Sequence, residues 1–194
     1  TQLGKLLRGQ PNNLRGWILY AQSLVRLGRF DEAVAAYSRV TTLAPRNAEL
    51  MSRMAETQIL AANGSVTPSA RASLQATLGL DVAEPRARYY MGLAELQAGK
   101  IEAALSIWIA LEADTTPTSP WRAFLTGRIA KLAARGKISA EQLAARRAAS
   151  AAKSKVTDAQ TGQTAQKSRG PNAEDAKAAQ SMSPKDRKDM IRGM

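Results

Sequence analysis

The chain has 194 residues and a formal net charge of +12 at pH 7, and it contains neither Cys nor His. The lack of these two residue types excludes thiol catalysis, disulfides, His-based triads and zinc or haem sites of the usual kind. There is no glycine-rich phosphate loop and no run of about 18 apolar residues, so neither a nucleotide site nor a membrane span is predicted. The positive charge is spread along the chain without a basic stripe interleaved with aromatics, which argues against nucleic acid as a partner.

The first strong pattern starts at Trp17. Trp17, Tyr20 and Leu24 fall at i, i+3 and i+7 and form one face of a predicted helix. Ala21 is small where a second helix must approach closely, and Pro45 ends that second helix. This spacing is typical of a tetratricopeptide repeat, about 34 residues folded as helix–turn–helix. Because one such hairpin cannot bury its apolar face alone, further repeats are expected.

The pattern recurs 71 residues later. Gly28-Arg29-Phe30 corresponds to Gly99-Lys100-Ile101, and Ala21 corresponds to Gly92, which keeps a small residue at the helix contact. Two standard periods span about 68 residues, so the repeat between them carries about three extra.

The middle repeat opens near Ala48, and its insertion is the turn-rich loop 63–68. Thr67 is predicted to cap the second helix and Pro68 to occupy its first position, with the helix running to about Leu78.

After the third repeat, Ser119 and Pro120 open another helix that Gly136 ends. Its large apolar residues are suited to cover the last exposed face of a solenoid. They are Trp121, Phe124, Leu125, Ile129 and Leu132.

From about Ser139 the composition changes to Ala, Lys, Arg, Ser, Gln and Thr. A short helix is predicted for residues 139–152, and disorder for 153–173, which bury too little apolar surface to offset ordering entropy. Residues 183–194 read as the start of a further helix. We expect the chain to be a processed protein or a fragment that continues past its last residue.

The sequence therefore predicts an all-α, tetratricopeptide-type solenoid of three repeats and a capping helix, followed by a largely disordered tail. The expected organisation is a domain over 1–137, with repeats at about 11–47, 48–84 and 85–118 and the capping helix at 120–135, then a mostly disordered linker over 138–182 and a helix start over 183–194.

Four passages stand out: Pro11-Asn12-Asn13-Leu14-Arg15-Gly16-Trp17 with residues 28–33; residues 55–64 with Val66-Thr67-Pro68; residues 86–94 with Gln97-Ala98-Gly99; and Ser119-Pro120-Trp121-Arg122. Together they resemble one particular family, the tetratricopeptide domain of bacterial cytochrome c maturation proteins of the CcmI/CycH type, which is related to that of the NrfG assembly factors. The second and fourth passages are the more specific, because generic repeats need neither that insertion nor a Ser-Pro-Trp cap. Residues 178–194 resemble the lead-in to a later repeat of the same family.

The resemblance implies a holdase-like chaperone without a cofactor. Such proteins bind apocytochrome c, mainly its C-terminal helix, on the periplasmic side of the membrane and deliver it to the haem ligation complex. The family's N-terminal membrane segments are not among these residues, so membrane anchoring is implied only through segments outside this chain.

Tetratricopeptide solenoids bind helices and peptides on the concave surface lined by the first helix of each repeat. The positions predicted to face this groove mix apolar and charged residues: Arg15, Leu19, Gln22, Arg26, Glu49, Arg53, Glu56, Arg86, Tyr89 and Leu93. Arg15, Arg53 and Arg86 are hypothesised to attract a carboxylate of the ligand. The aromatic residues Trp17, Tyr37, Trp108 and Trp121 are expected in the core instead.

Three alternatives remain beside the chaperone. A generic tetratricopeptide scaffold for other protein partners is the first, and nucleic-acid binding through the basic surface is the second. The third is catalysis by paired carboxylates, but Asp31 and Glu32 suit the helix dipole, and Glu49 and Glu56 lie about two turns apart on the first helix of repeat two. We therefore predict no enzymatic activity.

Overall fold

The structure, a computed structural model, describes residues 2–161, with side chains from residue 3 to residue 154 except that of residue 120. All regular structure in this part of the chain is α-helical: α1 Gln2–Gly9, α2 Leu14–Arg26, α3 Phe30–Leu43, α4 Ala48–Ala61, α5 Pro68–Leu80, α6 Pro85–Gln97, α7 Ile101–Asp114, α8 Pro120–Arg135 and α9 Ala140–Thr161. The expectations for the tail beyond residue 161 lie outside the described residues.

The helices stack as three successive helix–turn–helix pairs, α2–α3, α4–α5 and α6–α7. Each pair also packs on the next through α3 with α4 and α5 with α6, while α4 and α6 touch along one side of the stack. Helix α1 packs before α2, and both α8 and α9 pack on α7. The predicted fold class, an all-α solenoid of three repeats with a capping helix, is confirmed.

The turn after the first helix of each repeat uses a left-handed backbone. Gly28 has φ +69° and Gly99 has φ +78°, at equivalent positions of repeats one and three. Repeat two has two such residues, Asn63 and Gly64, at φ 51° and 86°. Since side chains strain this conformation, Gly fixes the turn at low cost.

The predicted insertion of repeat two is present and is held against the next repeat. The Thr67 side chain accepts a hydrogen bond from the Ala70 N–H, with Pro68 at the first position of α5. The Gln97 amide then bonds the loop twice, donating to the Gly64 carbonyl and accepting from the Val66 N–H, both at 2.8 Å. The loop thus belongs to the contact between repeats two and three.

Within the described residues, the buried side chains form three clusters along the stack rather than one central core. The first joins α2 and α3 and extends to α4: Ala21, Leu24, Ala33, Ala36, Tyr37, Val40 and Leu50. The second is small and joins α4, α5 and α6: Ala55, Ile59, Ala70, Leu74 and Ala87. The third is the largest and joins α6 to α9: Tyr89, Ala104, Leu105, Trp108, Ile109, Leu111, Leu125, Ile129, Leu132, Ala133 and Leu143.

Packing continues past residue 137, where the sequence predicted the domain to end. Helix α9 runs nine residues beyond the short helix expected, and Leu143 is buried in the third cluster. Arg147 binds Glu112 of α7 through two of its guanidinium nitrogens, at 2.7 and 3.0 Å. Leu143 and these ion pairs hold α9 against α7, although the composition of this segment had indicated a linker. The turn before it also differs in detail, since Gly136 has φ −80° and Lys137 adopts the left-handed conformation.

Candidate peptide-binding groove

A groove of about 340 Å³ opens between α2 and α4. Helix α4 contributes Arg53, Glu56, Thr57 and Leu60, at positions i, i+3, i+4 and i+7 of one helix face. Helix α2 contributes its last turns, and one residue of α3 lies between them. The lining residues are Gln22, Val25, Arg26, Tyr37, Arg53, Glu56, Thr57 and Leu60.

Three of the lining residues, Val25, Tyr37 and Leu60, are apolar or aromatic. Tyr37 is only 2% exposed, so little of its ring reaches the groove surface. Burial raises the pKa of Tyr37, an effect that the charge of nearby Arg53 opposes. The phenol therefore stays neutral at physiological pH, and Val25 and Leu60 provide apolar surface on either side.

The α4 side of the groove carries charges that are already paired. Arg53 contacts Glu49 at 2.8 Å, and Arg86 Nε contacts Glu56 Oε2 at 2.8 Å. The Tyr90 hydroxyl donates to the other oxygen of Glu56 at 3.0 Å, and burial raises the pKa of Tyr90. This wall is thus nearly neutral, with its cations and carboxylates engaged across α4 and α6.

Behind this wall a buried carboxylate ties α4 to the start of α6. Glu84 caps α6 by accepting from the Ala87 N–H at 2.6 Å and also accepts from the Ser52 hydroxyl at 2.9 Å. Arg86 donates to the Ser52 oxygen at 3.0 Å. Burial raises the pKa of Glu84 even though these hydrogen bonds and Arg86 oppose the shift. The network fixes where Arg86 lies, and through it Glu56.

Four of the predicted groove residues line the groove, namely Gln22, Arg26, Arg53 and Glu56. The others are distributed around it. Arg15 and Leu19 are exposed on α2, Glu49 and Arg86 pair with lining residues, and Leu93 is half-buried against the third cluster.

Tyr89 differs from its predicted role. It is 5% exposed, and its ring stacks on Trp108 with centroids 5.6 Å apart and also contacts Phe124 at 5.2 Å. Its hydroxyl accepts a hydrogen bond from Arg128 at 2.8 Å. Helix α8 therefore covers the surface that Tyr89 was expected to offer to a ligand.

The hypothesis that Arg15, Arg53 and Arg86 attract a ligand carboxylate stays a prediction, and the structure shows what surrounds each of them. Arg53 and Arg86 are each held by a carboxylate of α4, so neither presents a free charge. Among the described residues, Arg15 and Arg26 have no such partner.

Sequence reasoning missed Val25, Tyr37, Thr57 and Leu60 in the lining, Tyr37 having been expected in the core alone, and it missed Tyr90 beside the groove. The repeat shift of 71 residues would have pointed to Tyr90, because it places Tyr90 where Leu19 lies in the first repeat.

The fold and this groove define a tetratricopeptide protein-binding module. One similar solved structure is MamA, with a TM-score of 0.58 and 15% identity over 81% of this chain and 87% of that one. Another is PcrH in complex with the chaperone binding region of PopD, with a TM-score of 0.54 and 18% identity over 63% of this chain and 92% of that one. A third is the Yersinia enterocolitica chaperone SycD in complex with a peptide of the translocator YopD, with a TM-score of 0.52 and 17% identity over 61% of this chain and 88% of that one. At these identities the likeness is one of fold.

The family model described as "Cytochrome c-type biogenesis protein H TPR domain" matches residues 3–122. Proteins named cytochrome c-type biogenesis protein CycH are 35% identical over 132 residues in Bradyrhizobium diazoefficiens (68% of this chain, 36% of that one) and 37% identical over 124 residues in Rhizobium meliloti (64% and 32%). The chain belongs to this family of cytochrome c biogenesis tetratricopeptide domains. It spans about a third of the length of these curated relatives. In the described part of the chain, each helix is too short or too polar to cross a membrane.

Proposed function

We propose that this domain is a non-catalytic chaperone module that holds the C-terminal helix of an apocytochrome c on the periplasmic side of the membrane until the haem ligation complex takes it. The observation that carries this proposal is the groove between α2 and α4, in a domain of the cytochrome c biogenesis family. The haem ligation complex is the second proposed partner, and membrane attachment would come from segments outside this chain.

The chemistry of the groove supports a helical protein ligand. An amphipathic helix buries its apolar face in such a groove, and Val25, Tyr37 and Leu60 offer apolar contacts for it. The charged residues around them set the orientation more than the affinity. Within this proposal, Gln22, Arg26, Arg53 and Glu56 touch the ligand directly, and Leu19 extends the contact along α2.

A generic tetratricopeptide scaffold for another protein partner is the second candidate. The observation that favours it is that two structures of similar fold, PcrH and SycD, are complexes with a region or peptide of a translocator protein. The two candidates differ in which ligand the groove selects.

The deciding experiment is a calorimetric titration of the full chain with a peptide of the C-terminal helix of a cytochrome c from the same organism, with a scrambled peptide as control. We expect sequence-dependent binding at about micromolar affinity or tighter, which corresponds to about −8 kcal/mol. Absence of binding to both peptides would reject the chaperone role and leave the scaffold.

A matched pair of variants locates the site. Leu60→Ser removes an apolar group from the groove, and Leu80→Ser makes the same change on an exposed leucine outside it. We expect only Leu60→Ser to weaken binding, by about tenfold, since burying a leucine side chain is worth about 1.5–3 kcal/mol. Equal affinities for the two variants would place the ligand elsewhere.

A further inference from the structure

The charges of the groove are paired on one wall and unpaired on the other. On the α4 wall, Arg53 is held by Glu49 and Glu56 by Arg86 and Tyr90. On the α2 wall, Arg26 is exposed, and no carboxylate of the described residues contacts it. Helix α2 contains no acidic residue at all. The α2 wall therefore carries a positive charge that the domain itself does not neutralise.

Arg26 also lies in the last turn of α2, where a cation suits the helix dipole. That interaction is with partial charges of the backbone and leaves the guanidinium free to bind an anion. Arginine is suited to this because its planar fork of N–H donors matches a carboxylate.

The groove places this charge beside apolar surface. Val25 precedes Arg26 on α2, and Leu60 lies across the groove on α4. A large apolar side chain between Val25 and Leu60 would sit next to the Arg26 guanidinium. In a helical ligand the group nearest such a side chain lies three or four residues away on the same face.

We propose that Arg26 is the carboxylate-binding residue of the groove, and that the domain prefers an amphipathic segment that carries a carboxylate one helical turn from the apolar side chain held by Val25 and Leu60. This inference rests on the proposed function and names the chemistry of its ligand. An acidic side chain and the C-terminal carboxylate of the ligand share this chemistry, and the experiment separates them.

The test uses the full chain and the cytochrome c C-terminal peptide in three forms: native, with each acidic residue replaced in turn by its amide, and with an amidated C-terminus. Arg26→Glu is compared with Arg46→Glu, which makes the same charge change at an exposed arginine between α3 and α4, outside the groove lining. We expect Arg26→Glu to weaken binding by about tenfold, and Arg46→Glu to change it little, because hydrogen bonds to charged groups are worth about 1.5–3 kcal/mol.

One of these peptide changes should weaken binding to the native chain about as much as Arg26→Glu does. The same change should cause no further loss of affinity in the Arg26→Glu variant. If an amide replacement does so, the carboxylate is a side chain; if amidation does so, it is the terminus. Replacing that acidic residue by Lys, or the terminal carboxylate by an amine, should restore affinity to Arg26→Glu, which identifies a direct contact.

Equal weakening by Arg26→Glu and Arg46→Glu would overturn the inference, because it would mean general attraction rather than a site. Unchanged binding by Arg26→Glu would also overturn it, while the proposed function stands. Absence of peptide binding to the native chain would remove the proposed function and the inference with it.

Discussion

At Gly92 the space for a side chain is already occupied by Trp108. A Cβ atom built there would lie 2.3 Å from Trp108 Nε1, which donates a hydrogen bond to the Tyr89 carbonyl at 3.0 Å. The indole is 1% exposed and cannot move aside without disturbing the third cluster. The missing side chain is therefore what allows α6 and α7 to pack this closely.

We expect Gly92→Ala to lower the free energy of unfolding by about 1–3 kcal/mol, because it overpacks this contact. Gly127→Ala is the matched control, since a Cβ on that residue of α8 meets nothing within 4 Å. The control should be neutral or stabilising by up to about 1 kcal/mol, as alanine favours a helix. Urea unfolding of both variants checks this, and equal stabilities would contradict the close contact.

Glu84 gives a pH dependence whose sign follows from its burial. Its pKa is raised in the folded state above the ordinary value of 4.5, so the folded state binds the proton more tightly than the unfolded state does. Its contribution to stability is therefore fully present below pH 4.5 and is lost as pH rises through the folded pKa.

Glu84→Gln removes this ionisation but keeps an oxygen that can cap α6. The stability of the native chain minus that of Glu84→Gln should fall as pH rises above 4.5 and then level off. Unfolding curves at a series of pH values measure the difference. A difference that rises with pH would mean that the hydrogen bonds from Ser52 and Ala87 outweigh burial.

For individual residues, the sequence predicted roles that depend on neighbours along the chain or on the repeat pattern. The need for a small residue at Gly92 was predicted from its equivalence to Ala21, because both positions lie where the two helices of a repeat pack closely. The network of Ser52, Glu84 and Arg86 was not, because Ser52 and Glu84 are 32 residues apart and only the stacking of repeats brings them together.

Among the elements, α9 is joined to the stack both by ion pairs and by the buried Leu143. Glu112 of α7 is 6% exposed and binds both Arg147 of α9 and the Thr126 hydroxyl of α8, the latter at 2.6 Å. Arg146 pairs with Glu102 at the surface, and Ser154 donates to Asp114. One buried carboxylate thus joins three helices.

We expect Glu112→Gln to loosen α9, because it leaves Arg147 without its carboxylate, at a cost of about 1–3 kcal/mol. Glu102→Gln makes the same change in the exposed pair with Arg146 and should have little effect. Trypsin cleavage at Arg146 and Arg147 reads out the release of α9. Equal cleavage rates in the two variants would show that Glu112 does not hold the helix.

The sequence predicted the existence of the helices better than it predicted this docking. Caps such as Thr67 and breaks such as Pro45 are encoded within a few residues, so α2 to α8 were foreseeable. Among the described side chains of α9, Leu143 is the large buried one, and the helix also makes ion pairs and a hydrogen bond to residues 35 to 44 positions away, which leave no periodic signal.

At the scale of the whole molecule, the buried residues of the described part of the chain fall into three clusters, each of which joins consecutive helices. Such a stack behaves as a one-dimensional array in which units unfold with partial independence. The groove lies between the first and second clusters, and the covered aromatic surface around Tyr89 lies in the third. The sequence could predict which face of each helix is apolar, but not that Val25 and Leu60 line the same groove. That depends on how α2 and α4 are rotated relative to each other.

Truncation of one cluster should therefore loosen one end. Leu24→Ala in the first cluster and Leu125→Ala in the third remove side chains that are 1% and 0% exposed, at about 2–5 kcal/mol each. We expect faster amide hydrogen exchange mainly in α2 and α3 for the first variant and in α7 and α8 for the second. Uniform acceleration along the chain in both would indicate a single cooperative unit instead.

The positions of the three tryptophans allow fluorescence to distinguish the two ends of the stack. Trp108 is sealed in the third cluster with Trp121 beside it, whereas half-buried Trp17 lies at the opposite end, with its indole N–H bonded to the Pro11 carbonyl. Indole fluorescence shifts to longer wavelength as the ring meets water, so the two ends emit at different colours. With Trp121 replaced by Phe, the blue and red sides of a single emission spectrum report the opening of each end of the molecule without any label.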